Sequence, residues 1–347
     1  MAVRVLVVGA GWWSSSYHVP SLESHPDAVI SGIVDTETDR AREAAGSSGT
    51  PVFSDLEQAL AAGGHDAALV ATPSASHHEV ATATLRAGLH TFVEKPLALT
   101  AAEAHDLLER AEAAGVHLAV GYTSQHAGAA TAVRQAVREE IGDLLQVTVE
   151  FTSSAGGLYK AAARGEASTG GGAHPTAYTA ENGGGQAHTQ LTHAMGMMCW
   201  VTGRKVTKVA AFTAHQGLEV DMDDAAALLL EGGATGVAIS TGAVGRGLPV
   251  RQHIRYQGTE GIVEQDLYRA TATIHLAGGS SRFHEPDKHQ PPYDAEAPAR
   301  NFVDLILGRA DNLGSPRAAV HAVAATEALL ISAGESRVVD VAELGSR

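Results

Sequence analysis

The chain has 347 residues, which at about 150 per domain points to two domains, and 44% apolar against 18% charged residues is a globular rather than a disordered balance. Its 24 Lys and Arg stand against 39 Asp and Glu, and the resulting net charge of −15 repels phosphate backbones, excluding nucleic acid or an anionic membrane as the main partner. The single cysteine, Cys199, excludes an intramolecular disulfide and any thiolate-built zinc or iron–sulfur cluster.

No run approaches the ~18 uninterrupted apolar residues of a membrane helix. Met1 leads almost directly into a strand, with no charged segment and cleavage site before it. The expectation is a soluble protein of a reducing compartment, the cytoplasm. Short Val- and Leu-rich runs at Val3–Val8, Val29–Val34, Ala67–Ala71, His90–Val93 and Leu118–Val120 do not alternate with polar residues, as befits strands buried on both faces. Helical spacing separates them, at Ser76–Ala87 and Ala101–Ala114. The second of these opens on Thr100 and Glu103, a capping box. Strand–helix repetition of this kind predicts a doubly wound parallel sheet, a Rossmann dinucleotide-binding domain over residues 1–122.

From residue 123 to 347 the pattern becomes α+β. After a helical segment near Ala127–Glu140, period-two alternation marks Leu145–Thr152 and parts of Val206–Phe212, Ala225–Leu230, Thr235–Ser240, Gln252–Tyr256 and Thr271–Leu276. These predict a large, mostly antiparallel open sheet, followed by helices at Ala297–Leu307 and Pro316–Ser332. Ser153–Gly185, with Gly170–Gly172 and Gly183–Gly185, shows little periodicity and reads as a long functional loop.

The strongest chemical signal follows the first strand, in Gly9-Ala10-Gly11-Trp12-Trp13-Ser14. Gly9 allows a tight turn, Gly11 lets the backbone approach a pyrophosphate, and the small Ser14 lets the helix pack on the sheet. The helix N-terminus presents free N–H groups to the phosphates. Asp35 ends the second strand, 21 residues after Ser14, placed to accept from a ribose diol. A carboxylate there repels a 2′-phosphate, and no Arg immediately follows in Asp35-Thr36-Glu37, which favours NAD over NADP. Trp12 and Trp13 either shield apolar surface or wall the cofactor cleft.

Thr72-Pro73 and Glu94-Lys95-Pro96 lie at the carboxyl ends of strands, where a parallel sheet binds its ligand. A Lys beside an oxidised nicotinamide has its ammonium form disfavoured, so Lys95 could hydrogen-bond a substrate hydroxyl or take its proton. A solvated Glu94–Lys95 pair is the other reading of the same residues.

Taken in order, the Gly-rich turn, Ala71-Thr72-Pro73, His77, Val93-Glu94-Lys95-Pro96-Leu97, and a Gly-rich stretch leading to His193 resemble the glucose–fructose oxidoreductase/inositol dehydrogenase/rhizopine-catabolism (Gfo/Idh/MocA) family over essentially the whole chain. The resemblance implies an NAD-dependent oxidoreductase acting on a secondary hydroxyl of a sugar, sugar derivative or cyclitol. It assigns His193 as general base beside Lys95, and His77 and Glu94 to the cofactor loops. It also implies a homodimer or homotetramer formed through the open sheet face. Placed on a helix, Gln186, Thr189 and His193 share one face, with Gln186 and Thr189 set to hold substrate. Thr189 stands where the family often has Asp. Tyr122 and His126 follow the sixth strand, where relatives contact substrate, and Tyr159, Lys160, His174 and Tyr178 are placed to close over a polyol. Metal binding is not expected, because His188 and His193 are five apart and no His-Glu-x-x-His occurs. Two other functions fit the same residues. One is a glycosidase that oxidises its substrate transiently, eliminates the aglycone and returns the hydride. The other is a non-catalytic NAD(P) sensor.

Overall fold

A computed structural model describes residues 2–166, 178–286 and 288–346. Among these residues two sheets form. The first contains β1 (Val3–Val8), β2 (Ala28–Val34), β3 (Val52–Phe53), β4 (Ala67–Val70), β5 (His90–Val93) and β6 (Leu118–Val120), ordered β3-β2-β1-β4-β5-β6. Every pairing in it is parallel. The order reverses beside β1, which opens a crevice at the carboxyl ends of β1 and β4. Connecting helices are α1 (Val19–Ser24), α2 (Thr38–Ala45), α3 (Leu56–Ala62), α4 (His77–Arg86) and α5 (Ala101–Ala114). The α5 capping box forms as expected, with the Thr100 hydroxyl accepting from Glu103 N and the Glu103 carboxylate accepting from Thr100 N, both at 3.2 Å. The two-residue β3 carries too short a run to register as a strand in the sequence.

Past α6 (Gly128–Glu139) the chain builds the second sheet from β7 (Leu144–Thr152), β8 (Val206–Ala214), β9 (Asp223–Leu230), β10 (Thr235–Thr241), β11 (Gln252–Gly258), β12 (Gly261–Asp266), β13 (Thr271–Leu276), β14 (Ser281–His284) and β15 (Val339–Asp340). Its order is β14-β13-β12-β11-β7-β10-β9-β8-β15, antiparallel except where β10 meets β7. Alternation along β9 and β10 sends Ala226, Leu228 and Ala238 into the main core. The opposite face leaves Phe212, Val237 and Ile239 exposed, Phe212 to 81%.

Three helices complete the second half: α8 (Thr192–Thr202), α9 (Ala297–Ile306) and α10 (Pro316–Glu335). Chain order and packing part company here. Ala299, Phe302 and Val303 of α9 share a core with β1 and β5 of the first sheet, and Ala319, Val320 and Val323 of α10 pack with Val93 and Val120. The long stretch after β7 is also not all loop, since α7 occupies Gly156–Ala163. Two glycines at its start hide it in the sequence. Gly156 is needed because a Cβ there would come within 2.9 Å of Gly242 O, and Tyr159 anchors the helix against Val220 and Met222. Gly170–Gly172 and His174 lie outside the described residues.

Candidate active site

The β1–α1 turn has the form a pyrophosphate requires. Gly9 adopts φ +98°, and a Cβ on it would lie 2.6 Å from Ala71 O, so only glycine lets the turn pass the neighbouring strand end. A Cβ on Gly11 would meet nothing within 4 Å, leaving the approach to its backbone open. Ser14 is fully buried under the turn. The helix begins with a π-turn over Ser14–His18 before α1, and this extra residue per turn drives His18 inward.

Asp35 accepts from Ala10 N at 2.9 Å and from Glu37 N at 2.8 Å, which ties the end of β2 to the glycine turn. The structure adds an arginine the sequence reading passed over. Arg40, five residues on, reaches back in the first turn of α2 to bind Asp35 at 2.9 Å and Glu37 at 3.4 Å.

The loops after β4 and β5 are braced together by His77. Its Nδ1 lies 2.7 Å from Pro96 O and its Nε2 3.0 Å from Thr72 O, with the ring 1% exposed. His77 therefore shapes the crevice through Thr72, Pro73 and Pro96 rather than by facing it. The Lys95–Pro96 peptide is cis. Glu94 is not a solvated partner of Lys95. Its buried carboxylate accepts from Trp13 Nε1 at 3.0 Å and from Lys95 N at 3.0 Å, and lies 2.8 Å from His18 Nε2. Burial opposes ionisation of Glu94, but its bond to His18 and the charges around it hold its carboxyl below the usual range. Trp13 thus anchors the network and meets Tyr17 and Tyr293 ring to ring, whereas Trp12 is 39% exposed at the edge.

Lys95 crosses from the first sheet to the helical run before α8, its Nζ donating to Thr189 O at 3.1 Å. Burial lowers its pKa, opposed by the Glu94 charge. His193 stacks on Phe151, with centroids 6.1 Å apart and planes at 10°. Burial, and then the Lys95 charge, push His193 well below its ordinary value, so the ring is neutral at neutral pH.

Gln186 and Thr189 share a face as expected, but that face meets Tyr159 rather than the cleft that His193 lines. A π-turn over Ala187–Leu191 shifts the register before α8. Gln186 is fully buried, accepting from Tyr159 OH at 3.1 Å, and Thr189 Oγ1 bonds Gly185 O and Tyr159 OH, both at 2.6 Å. Gln190, which the sequence reading left out, stands beside His193 in the cleft instead. Tyr122 is also turned inward. It is 1% exposed, packs on Gly196 and bonds Thr192 Oγ1 at 3.2 Å, which makes it a core residue. Burial lowers His126 to about 4, and it stands outside the residues that line the cleft.

The cleft itself has a volume of about 580 Å³. Phe151, Tyr268, Tyr293, Pro291 and Pro292 form its apolar walls. Ser124, Gln190, Gln252 and His193 supply polar groups. Tyr268 and Tyr293 sit in connections with no periodic signal, so the sequence offered no way to place them. Beneath the helical run lies a second unforeseen feature. Asp221 accepts from Ala187 N at 2.6 Å and faces the buried Asp224, whose carboxyl is raised to about 8 by burial and then by the Asp221 charge.

Fold and site together define a two-sheet dinucleotide-dependent oxidoreductase architecture: a parallel nucleotide-binding sheet, a Lys just past the end of one of its strands, and a second sheet with a His-bearing helix. The chain belongs to the Gfo/Idh/MocA family, matching the model for the oxidoreductase family NAD-binding Rossmann fold over residues 3–122 and that for the GFO/IDH/MocA C-terminal domain over residues 130–264. It is 31% identical over 152 residues to dTDP-3,4-didehydro-2,6-dideoxy-alpha-D-glucose 3-reductase of Streptomyces violaceoruber, covering 44% of each chain. It is 32% identical over 145 residues to inositol 2-dehydrogenase of Leifsonia xyli, covering 41% of this chain and 43% of that one. The chain thus matches less than half the length of these curated relatives. Its fold is that of an oxidoreductase domain protein from Kribbella flavida, with a TM-score of 0.83 over 98% of this chain and 99% of that one at 20% identity. Among the described residues, no helix is long and apolar enough to cross a membrane.

Proposed function

We propose that this protein oxidises a secondary hydroxyl of a sugar, sugar derivative or cyclitol with NAD, or reduces the matching ketone. The observation that carries this reading is that Lys95, from the nucleotide-binding sheet, reaches the backbone of Thr189 one helical turn before His193, close enough for its charge to act on the ring that lines the cleft. Bound nicotinamide would accept the hydride; the chain's own residues handle the proton. His193 takes the hydroxyl proton through its free ring nitrogen as the C–H bond breaks and the C=O bond forms. Lys95, held by Thr189 O and kept from full basicity by burial, donates to the same oxygen and stabilises charge developing there. Glu94 fixes the Lys95 backbone and joins it to Trp13 and His18.

Gly9, Gly11 and Ser14 fit the pyrophosphate turn, and Asp35 fits the adenosine ribose. The preference for NAD rests on Asp35 and Glu37 together. They occupy Arg40, the cation a 2′-phosphate would otherwise engage. The exposed Phe212, Val237 and Ile239 on the outer sheet face support assembly as a homodimer or homotetramer.

The test is Lys95→Ala, assayed for NADH formation against a panel of free sugars, cyclitols and glycosides beside the parent. NAD affinity is expected to stay within about threefold, while turnover falls by roughly 10²–10⁴. An active Lys95→Ala enzyme would remove Lys95 from the mechanism. Aglycone release without net NADH would move the reaction to the hydride-returning glycosidase.

A further inference from the structure

We infer that the cleft selects a neutral sugar ring bearing an apolar face or aglycone, and discriminates against nucleotide-linked and phosphorylated sugars. This deepens the oxidoreductase reading above and rests on it. Away from the reacting oxygen, which His193 and Lys95 serve, the groups lining the cleft are chiefly of two kinds. Phe151, Tyr268 and Tyr293, with Pro291 and Pro292, present flat apolar surface on several sides. Gln190 and Gln252 are amides that each donate and accept, which suits uncharged hydroxyls. Neither kind compensates a phosphate, which calls for the bidentate or point-charge contacts of Arg and Lys.

Among the described residues, those lining the cleft include no Lys, Arg, Asp or Glu, and Lys95, which acts on the reacting oxygen beside His193, is already engaged by Thr189 O. One aromatic wall is also built for contact rather than for the core. Tyr268 stands on the turn between β12 and β13 with 59% of its surface exposed, yet it lines the cleft. A ring held in that position is stabilised by little of the protein and is free to lie against a ligand, offering large contact area at low entropic cost. Tyr293 is fixed instead, against Trp13, and forms the opposite kind of wall.

The test uses the full chain with NAD and three substrate classes, each in gluco, galacto and manno configuration: methyl and 4-nitrophenyl glycosides, nucleotide diphosphate sugars, and sugar 6-phosphates. NADH and 4-nitrophenol are recorded together. The neutral glycosides are expected to show kcat/KM at least about tenfold above both charged classes, with the nitrophenyl compounds showing the lower KM. Tyr268→Ala is expected to raise the nitrophenyl KM by about tenfold while kcat and NAD affinity change less than about threefold. The exposure of Tyr268 keeps this variant folded. A nucleotide or phosphorylated sugar turned over as well as the neutral glycosides would overturn the selectivity. An unchanged KM in Tyr268→Ala would overturn the stacking wall. Hydride transfer and aglycone release absent from every class, with NAD still bound, would instead bring down the oxidoreductase reading itself.

Discussion

Lys95 Nζ donates to the carbonyl oxygen of Thr189 across the interface between the two sheets. One partner lies just past the end of β5 in the parallel sheet, and the other sits in the π-turn that leads into α8. The bond uses a backbone acceptor, so it does not depend on which side chain occupies position 189. The lysine is thus kept in place with Thr at position 189. The Thr189 hydroxyl is released for another task, closing the π-turn onto Gly185 and Tyr159.

The proton acceptor should reveal itself through pH. His193 lies well below its ordinary 6.5 because burial, and then the Lys95 charge, penalise its cation. A lowered pKa keeps the neutral, accepting form to lower pH. The acid limb of kcat/KM for hydroxyl oxidation is therefore expected below pH 6.5, and His193→Asn should abolish that limb along with most turnover. An acid limb above 6.5 in the parent would show that another group takes the proton.

Nucleotide choice should turn on Asp35. Asp35→Ser removes the acceptor placed for the ribose and frees Arg40 from one of its two carboxylates. NAD affinity is expected to fall by about tenfold to a hundredfold, the range for a charge-assisted hydrogen bond. NADP affinity should rise at the same time. Equilibrium titration of both nucleotides checks this, and a parallel fall of both affinities would place the NAD preference elsewhere.

The two glycines of the first turn should fail in different ways. Gly9→Ala puts a Cβ 2.6 Å from Ala71 O at φ +98°, so stability should drop by about 1–3 kcal/mol or more, read as a lower Tm without nucleotide. Gly11→Ala meets nothing within 4 Å and should keep the parent Tm. It is nevertheless expected to weaken NAD, because the new methyl stands where a pyrophosphate approaches.

Stability should fall as the Asp224 carboxyl loses its compensation. Its folded value of about 8 exceeds the ordinary 3.8. Between those values the folded chain holds a proton that the unfolded chain has released, so stability declines as pH rises through the window from about 4 to about 8. Asp224→Asn keeps a neutral donor beside Asp221 and an acceptor for Ser240 Oγ. The loss of Tm between pH 5 and pH 8 should be roughly 3–6 °C smaller in this variant. An unchanged difference would show that Asp224 ionises normally.

Local chemistry was legible in the sequence wherever one short segment carries a whole structural task. The Gly9–Ser14 turn, Asp35, the Thr100–Glu103 cap and the buried parallel strands each depend on a few consecutive residues and a fixed period. The orientation of side chains around the cleft was not legible in this way. The π-turn at Ala187–Leu191 packs on Tyr159 and Asp221, with Gln186 and Thr189 turned onto Tyr159 and Gln190 facing the cleft. Trp13 on Glu94, and Tyr268 and Tyr293 opposite His193, are likewise meetings between segments far apart in the chain or in turns without periodicity, whereas Arg40 on Asp35 is a local contact decided by how α2 leaves the strand. A one-residue change of helical register rotates every later side chain by about 100°. The sequence therefore determined which chemistry the chain carries, and the tertiary structure decided which of those groups face the cleft.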